Sequence, residues 1–494
     1  GMEVAIDEVL NQGKFCEGTI CYTGDILDPS NDTFTLDYYI KLAKELEKLG
    51  VHSIGIKDMA GLLKPYAAKE LIHALRNEVS LPIHLHTHDT SGNQVATYLM
   101  AAEAGVDIVD TAVASMAGMT SQPSMNAIVA ALHGQERDTG FDLDRVEELS
   151  NYYADVRLRY EKFDQGLKTT DTDIYKYEIP GGQYTNLRPQ VNSVGLGDRF
   201  EDIKKMYKVV DTMLGGITKV TPSSKMVGDM AIFMVQNDLT PENILEKGKN
   251  LNFPDSVIDY FKGMMGQPPH GFPKNLQRVV LKGEEPITCR PGKLLPPADF
   301  EKAKKEVAEL CPHPFNMRQV ISYVMYPKVV KEYWQHEVEY GYLMRMGSHV
   351  FFNGLAKGER NLITIDQGKT LVIRFIELGD INEEDGTRDV IFELNGQRRV
   401  IAVPDPHVHV EGKETVMVDP QDKSQAGASI PGLVTKINVK VGDEVKENDT
   451  LGIIEAMKME TAVVARMHGT IKEILVKEGD TVKAGQLLFT LDVK

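Results

Sequence analysis

The C-terminal stretch of this chain repeats itself. Gly432-Leu-Val-Thr-Lys-Ile-Asn-Val-Lys-Val-Gly442-Asp443-Glu-Val-Lys is matched by Gly469-Thr-Ile-Lys-Glu-Ile-Leu-Val-Lys-Glu-Gly479-Asp480-Thr-Val-Lys. Glycines, alternating apolar residues and Gly-Asp turns fall at the same offsets, so each copy reads as a strand–turn–strand unit. One unit is too small to bury a hydrophobic face by itself. The two copies must therefore pack on each other, which predicts a pseudo-twofold, flattened β-barrel.

Between the copies lies Glu455-Ala456-Met457-Lys458-Met459-Glu460-Thr461, which the symmetry places at the hairpin tip joining the halves. Methionines flank Lys458 where turn chemistry calls for Gly, Asn or Asp. The Ala-Met-Lys-Met tetrapeptide and the surrounding repeat resemble a biotinyl domain, over residues 427–494. Lipoyl domains share the fold but carry Asp-Lys-Ala at this place. The resemblance implies that Lys458 becomes N6-biotinyllysine through a biotin protein ligase, and so acts as a cofactor-bearing catalytic residue.

The N-terminal quarter alternates short apolar strands with amphipathic helices. Strands are expected at 18–22, 53–57, 83–88 and 106–112. A helix runs from Thr35, a predicted N-cap, to a stop at Gly50. Further helices start at Pro65 and at Gln94. This order is that of βαβ units and a parallel sheet. Polar residues recur at the strand C-terminal ends, as Asp25, Lys57, His86 and His88, where (β/α)8 barrels place their chemistry. Four strands make half of such a barrel, and an isolated half would expose unpaired edges. The chain is accordingly expected to be part of a longer polypeptide. Residues 126–345 read as a helical extension, interrupted at Pro180-Gly181-Gly182 and Gly266-Gln267-Pro268-Pro269. Residues 346–404 read as a small β-rich module with a hairpin turn at Asn395-Gly396, and 405–426 as a linker.

In Ile83-His84-Leu85-His86-Thr87-His88 the histidines alternate and share one strand face. His86 and His88 can reach one metal, and imidazole suits Mn, Zn, Fe or Co. His84 lies a layer deeper. Lys57 ends the preceding strand; if burial depresses its pKa, the neutral amine can take up CO₂ as a carbamate, an anionic ligand.

Ile-Lys57-Asp-Met-Ala-Gly-Leu, His86-Thr-His88-Asp-Thr-Ser-Gly, Ser-Met-Ala-Gly-Met-Thr-Ser-Gln-Pro-Ser, Pro-Gly-Gly-Gln-Tyr-Thr-Asn-Leu and Val-Thr221-Pro-Ser-Ser224-Lys are similar to the carboxyltransferase domain of pyruvate carboxylases, over residues 1–345. Decarboxylase and transcarboxylase subunits share several of these motifs, and the Gln-Tyr after Pro-Gly-Gly favours the carboxylase. The resemblance implies a divalent metal held by Lys57 (as N6-carboxylysine), His86 and His88. It also implies that Thr221 is a proton shuttle, since a hydroxyl donates and accepts at once, and that Ser224 binds the biotin ureido ring. The implied reaction makes oxaloacetate from pyruvate, with bicarbonate entering by way of carboxybiotin. The resemblance further implies a homotetramer, with 346–404 as the allosteric and tetramerisation module and an acyl-CoA or nucleotide as effector.

The family's aspartate ligand and pyruvate-binding arginine precede Gly1, as does its domain for ATP and Mg. No G-x-x-x-x-G-K-[ST] loop occurs here. A non-catalytic biotin carrier is the reading from another class.

With 494 residues and a net charge of −17, the chain is a poor match to nucleic acid or an anionic membrane. It shows no apolar run of membrane-spanning length and no signal-peptide pattern. Four cysteines without a C-x-x-C pair make no disulfide framework. A cytoplasmic protein is the expectation.

Overall fold

Four strands with a different chemistry on each face organise the N-terminal region. β1 (Glu17–Cys21), β2 (Ser53–Asp58), β3 (Ile83–Thr87) and β4 (Ile108–Val109) form a parallel sheet in that order. This computed structural model describes residues 2–164, 169–218, 220–341, 343–382, 386–405, 417–419, 422–456 and 459–492. Strand side chains alternate between faces. Ile20, Ile54, Ile56, Ile83 and Leu85 are buried in one core with Ala43 and Leu46 of the Leu36–Lys48 helix and Ala68, Leu71 and Leu75 of the Pro65–Glu78 helix. The other face carries Glu17, Thr19 and Cys21, then Ser53, Gly55 and Lys57, then His84 and His86. The register aligns Cys21 with Lys57 and Lys57 with His86.

The first helix begins where expected. Thr35 caps it by accepting from the Tyr38 amide, and Gly50 follows its end at φ +84°. One expectation needs correction: β4, expected over 106–112, is only two residues long, and Ala112 bridges Ser124 instead. The expected interruption at Pro180 falls between the helices Ile174–Tyr177 and Gly181–Ser193, the second opening with Pro180 at its N-cap.

The loop after β2 is fixed by one side chain. Asp58 is 0% exposed. Its Oδ1 accepts from the Gly61 and Leu62 amides at 3.0 and 2.9 Å, and its Oδ2 from the Leu63 amide and the Thr87 hydroxyl at 2.8 Å each. Gly61 sits at φ +76°, and a Cβ there would run into the His88 carbonyl oxygen. The turn that follows Lys57 is thereby packed under His88.

The described residues form two compact units, Gly1–Lys293 with Thr415–Lys494, and Leu294–Glu414. In the second unit β5 (Arg360–Asp366), β6 (Lys369–Asn382), β7 (Thr387–Leu394) and β8 (Gln397–Pro404) form an antiparallel meander. Asn395 and Gly396, both at positive φ (50° and 81°), make the tight turn between β7 and β8. This unit starts before the switch to β-pattern near 346. Its helices Phe300–Leu310, Met317–Met325 and Pro327–Tyr340 have their own core of Val307, Val320, Tyr323 and Trp334.

The C-terminal repeat folds as two four-stranded sheets. The strands are β9 (Gln425–Gly427), β10 (Gly432–Ile437), β11 (Glu444–Val445), β12 (Thr450–Ala456), β13 (Met459–Val464), β14 (Gly469–Ile474), β15 (Thr481–Val482) and β16 (Leu487–Asp492). Their orders are β13-β12-β10-β15 and β11-β14-β16-β9. Each sheet borrows a short strand from the other copy. The Gly442 amide donates to the Ile471 carbonyl and the Gly479 amide to the Val434 carbonyl, both at 2.8 Å. Asp443 and Asp480 accept from the Lys440 and Lys477 amides, again at 2.8 Å each. The end of the segment read as linker is ordered against this domain. β9 pairs with β16, and the Leu491 amide donates to the Ser424 carbonyl.

Replacing Asp58 with alanine strands three buried amides and the Thr87 hydroxyl. Urea unfolding should show a loss of about 3–5 kcal/mol, the range for breaking a buried polar network.

Candidate active site

The open face of β3 gathers the chemistry. His86 Nδ1 donates to Asp110 Oδ2 at 2.7 Å, and His88 Nδ1 donates to the Thr120 carbonyl oxygen at 2.6 Å. A carbonyl oxygen can only accept, so the His88 proton sits on Nδ1. With both Nδ1 atoms donating, the two Nε2 atoms face each other 3.3 Å apart, a spacing that a shared proton or a shared cation bridges. Two nitrogens bound tetrahedrally to one ion at ~2.0–2.1 Å lie roughly 3.4 Å apart, which matches.

Lys57 stands beside these rings on β2, half-buried and in register with His86. Burial pushes the His88 imidazole below its ordinary pKa, and the nearby His86 and Lys57 add to this against the Thr120 bond, so His88 stays neutral. Burial likewise pushes the Cys21 thiol up, with Lys57 opposing. Among the described residues no three His, Cys, Asp or Glu side chains gather as a metal set. The nitrogen donors gathered on this face are the two imidazoles, with Lys57 beside them on the neighbouring strand.

Asp110 joins the site without having been singled out from the sequence, while Thr120 and Gly181 lie in motifs that were quoted but given no role at it. A Cβ at Gly181 would meet His88 Nδ1 at 3.0 Å and the Thr120 carbonyl at 3.3 Å, so the Gly181–Ser193 helix starts in contact with the histidine. Farther along, Gln183 and Leu187 of this helix lie against Gly228 in the Ser223–Gln236 helix. It is a strut between the histidines and the segment carrying Thr221 and Ser224. Thr221 is exposed just before that helix, and Ser224 is buried, its carbonyl accepting from Tyr207 Oη at 3.4 Å. Asp25 does not join the histidines; it takes Lys64 Nζ at 2.7 Å. A cavity of about 450 Å³ opens beside the site, lined by Thr120, Arg157, Tyr184, Thr185 and Arg188. Met457 and Lys458 lie outside the described residues; the strands before and after them pair so that Ala456 stands opposite Met459. The four cysteines are free, and among the described residues no helix is long and apolar enough to cross a membrane.

Three segments of the chain match known families. Residues 29–152 match the HMGL-like family, 174–374 a conserved carboxylase domain, and 421–491 the biotin-requiring enzyme domain. The class is thus a carboxylase-type chain with a biotin-requiring domain at its end. The chain is 49% identical to pyruvate carboxylase of Staphylococcus aureus over 99% of its length and 48% identical to that of Bacillus subtilis over 100%. It is similar to the solved carboxyl transferase domain of Rhizobium etli pyruvate carboxylase with pyruvate and biocytin. There the TM-score is 0.76 at 46% identity, covering 82% of this chain and 68% of that one. The chain belongs to the pyruvate carboxylase family. It spans 43% of the length of the two bacterial relatives.

Gly181→Ala should press on His88 while leaving the fold intact. Elemental analysis after dialysis should show metal affinity down on the order of tenfold, the size of a lost supporting contact, with the melting temperature little changed.

Proposed function

We propose that this chain carries the carboxyl-transfer half of a biotin-dependent pyruvate carboxylase, making oxaloacetate from pyruvate. The paired Nε2 atoms of His86 and His88 beside Lys57 support this reading, because a cation held between them would lie at one end of a sheet face similar to that of a carboxyl transferase domain solved with pyruvate and biocytin. The four-stranded sheet is read as the C-terminal half of a (β/α)8 barrel. The helices from 126 to 345 are its extension, 346–404 the allosteric and tetramerisation module, and 427–494 a biotinyl domain with a flattened-barrel form.

In this reading Lys57, as N6-carboxylysine, His86 and His88 hold a divalent ion such as Mn or Zn. When bound, the ion supplies Lewis-acid stabilisation of charge developing on the substrate oxygen. Biotin, attached to Lys458 by a ligase, brings the carboxyl group. Asp110 and Thr120 hold the two rings so that both Nε2 atoms face the ion. Cleavage of its N–carboxyl bond supplies that group as CO₂, and Thr221 passes a proton from the pyruvate methyl to the ring nitrogen so freed, leaving the methyl carbon to take up the CO₂. Ser224 supports the ureido ring through its segment. The cavity beside Thr120 is lined by Arg157 and Arg188 and equally by Glu161 and Asp164, with Arg157 paired to Asp164. Bicarbonate, ATP and Mg serve the other half-reaction, in the part of the relatives' length outside this chain. A homotetramer, an acyl-CoA or nucleotide effector and a cytoplasmic location complete the proposal.

Thr221→Ala in the full-length enzyme should abolish oxaloacetate formation and spare biotin-dependent ATP cleavage. Coupled malate dehydrogenase and phosphate-release assays measure the two. Surviving oxaloacetate output would remove the shuttle role. Mass spectrometry of the Lys458 peptide should show biotin, whereas lipoate or a bare lysine there would sink the carrier assignment.

A further inference from the structure

His86 is held by more than its own neighbour. Asp110 Oδ2 takes His86 Nδ1 at 2.7 Å, and its Oδ1 takes His84 Nε2 at 2.9 Å. The opposite nitrogen of His84, Nδ1, donates to Glu17 Oε2 at 3.0 Å. Glu17 Oε2 in turn accepts from the Ser53 hydroxyl at 2.9 Å. A continuous line of hydrogen bonds thus runs from β1 to the site, past β2 and β3.

Glu17 and His84 are not on adjacent strands, because β2 lies between β1 and β3. The carboxylate crosses β2 at Gly55, which stands in register with both Thr19 and His84. A Cβ on Gly55 would meet Glu17 Oε1 and Thr19 Oγ1 at 2.9 Å each. Gly55 has no positive φ, so backbone freedom does not call for glycine here; the passage of the carboxylate does. The backbone of Asp110 is pinned as well, since Tyr98 Oη donates to its carbonyl at 2.8 Å.

We propose that Asp110 is a positioning residue for His86, and that Glu17 and His84, reaching over Gly55, form a clamp that holds the Asp110 carboxylate in place. This rests on reading His86 as a metal-holding residue. Asp110 is 41% exposed at its side chain, so without His84 on Oδ1 it is free to turn towards water. The His86 ring would then lose the partner that keeps its proton on Nδ1 and its lone pair towards the site. Both Asp110 carboxylate oxygens are taken by histidines, so its influence on the site runs through the His86 ring.

The test uses cobalt(II) as probe in the full chain, with affinity from chelator competition and ligand geometry from the visible spectrum. Asp110→Asn should weaken cobalt binding ~10–100-fold and alter the spectrum. Gly55→Ala, which adds no polar group and touches no proposed ligand, should weaken it in the same direction by several-fold. Circular dichroism checks that both variants fold. Wild-type affinity and an unchanged spectrum in both would overturn the clamp. A wild-type chain that bound no cobalt would remove the metal reading instead. The clamp is then decided by ¹⁵N-histidine spectra, with the His86 signal assigned by its loss in His86→Gln. The expected result is a proton on Nδ1 in the wild type and a tautomer mixture in Asp110→Asn. The same tautomer in both overturns the proposal.

Discussion

Adjacent residues of a strand must point to opposite sides of the sheet, and most of this chain's N-terminal half follows from that constraint. Lys57 and Asp58 are neighbours with opposite tasks. Lys57 faces the histidines, while Asp58 faces inward and ties down the loop that passes beneath His88. A one-residue slip would exchange them, putting an amine into the apolar core and a loop-tying carboxylate into the site. The buried Ile54 and Ile56 on β2 and Ile83 and Leu85 on β3 fix that register. Packing on one face therefore sets the geometry of the chemistry on the other.

Much of this was readable from pattern. Thr35 and Gly50 marked a helix, Asn395-Gly396 a hairpin, and the two Gly-Asp turns a duplicated domain. Each of these signals is local, and the structure uses each as a local device. The three histidines shared a face because their spacing is two. What escaped was set by distance in the fold. Asp110 lies more than twenty positions from His86, on a segment whose strand pairing stops at Val109. Glu17 meets His84 across an intervening strand, through a glycine that looks like any other in sequence. Pro180-Gly181-Gly182 reads as a break between helices, but nothing local says that a Cβ at Gly181 would crowd His88 Nδ1 at 3.0 Å.

Electrostatically, the same face alternates in sign along its length. Both ring nitrogens of His84 face carboxylates. Burial works against its protonation, but bonds and charges from Asp110 and Glu17 prevail and raise its pKa. Burial raises the Asp110 pKa too, and the two histidines more than reverse this. His88, with no carboxylate, is pushed the other way. His84 and His88 are thus pushed in opposite directions according to what their ring nitrogens meet.

The exchanged turns of the C-terminal repeat have a consequence for how that domain comes into being. Gly442 closes on Ile471 and Gly479 on Val434, so neither copy can complete its own hydrogen bonding. The halves assemble together or not at all, and the domain has no stable half-built form. The segment bearing Lys458 joins these halves at the centre of the symmetry. An enzyme that recognised the folded surroundings of that segment would meet them only once both copies of the repeat had been made.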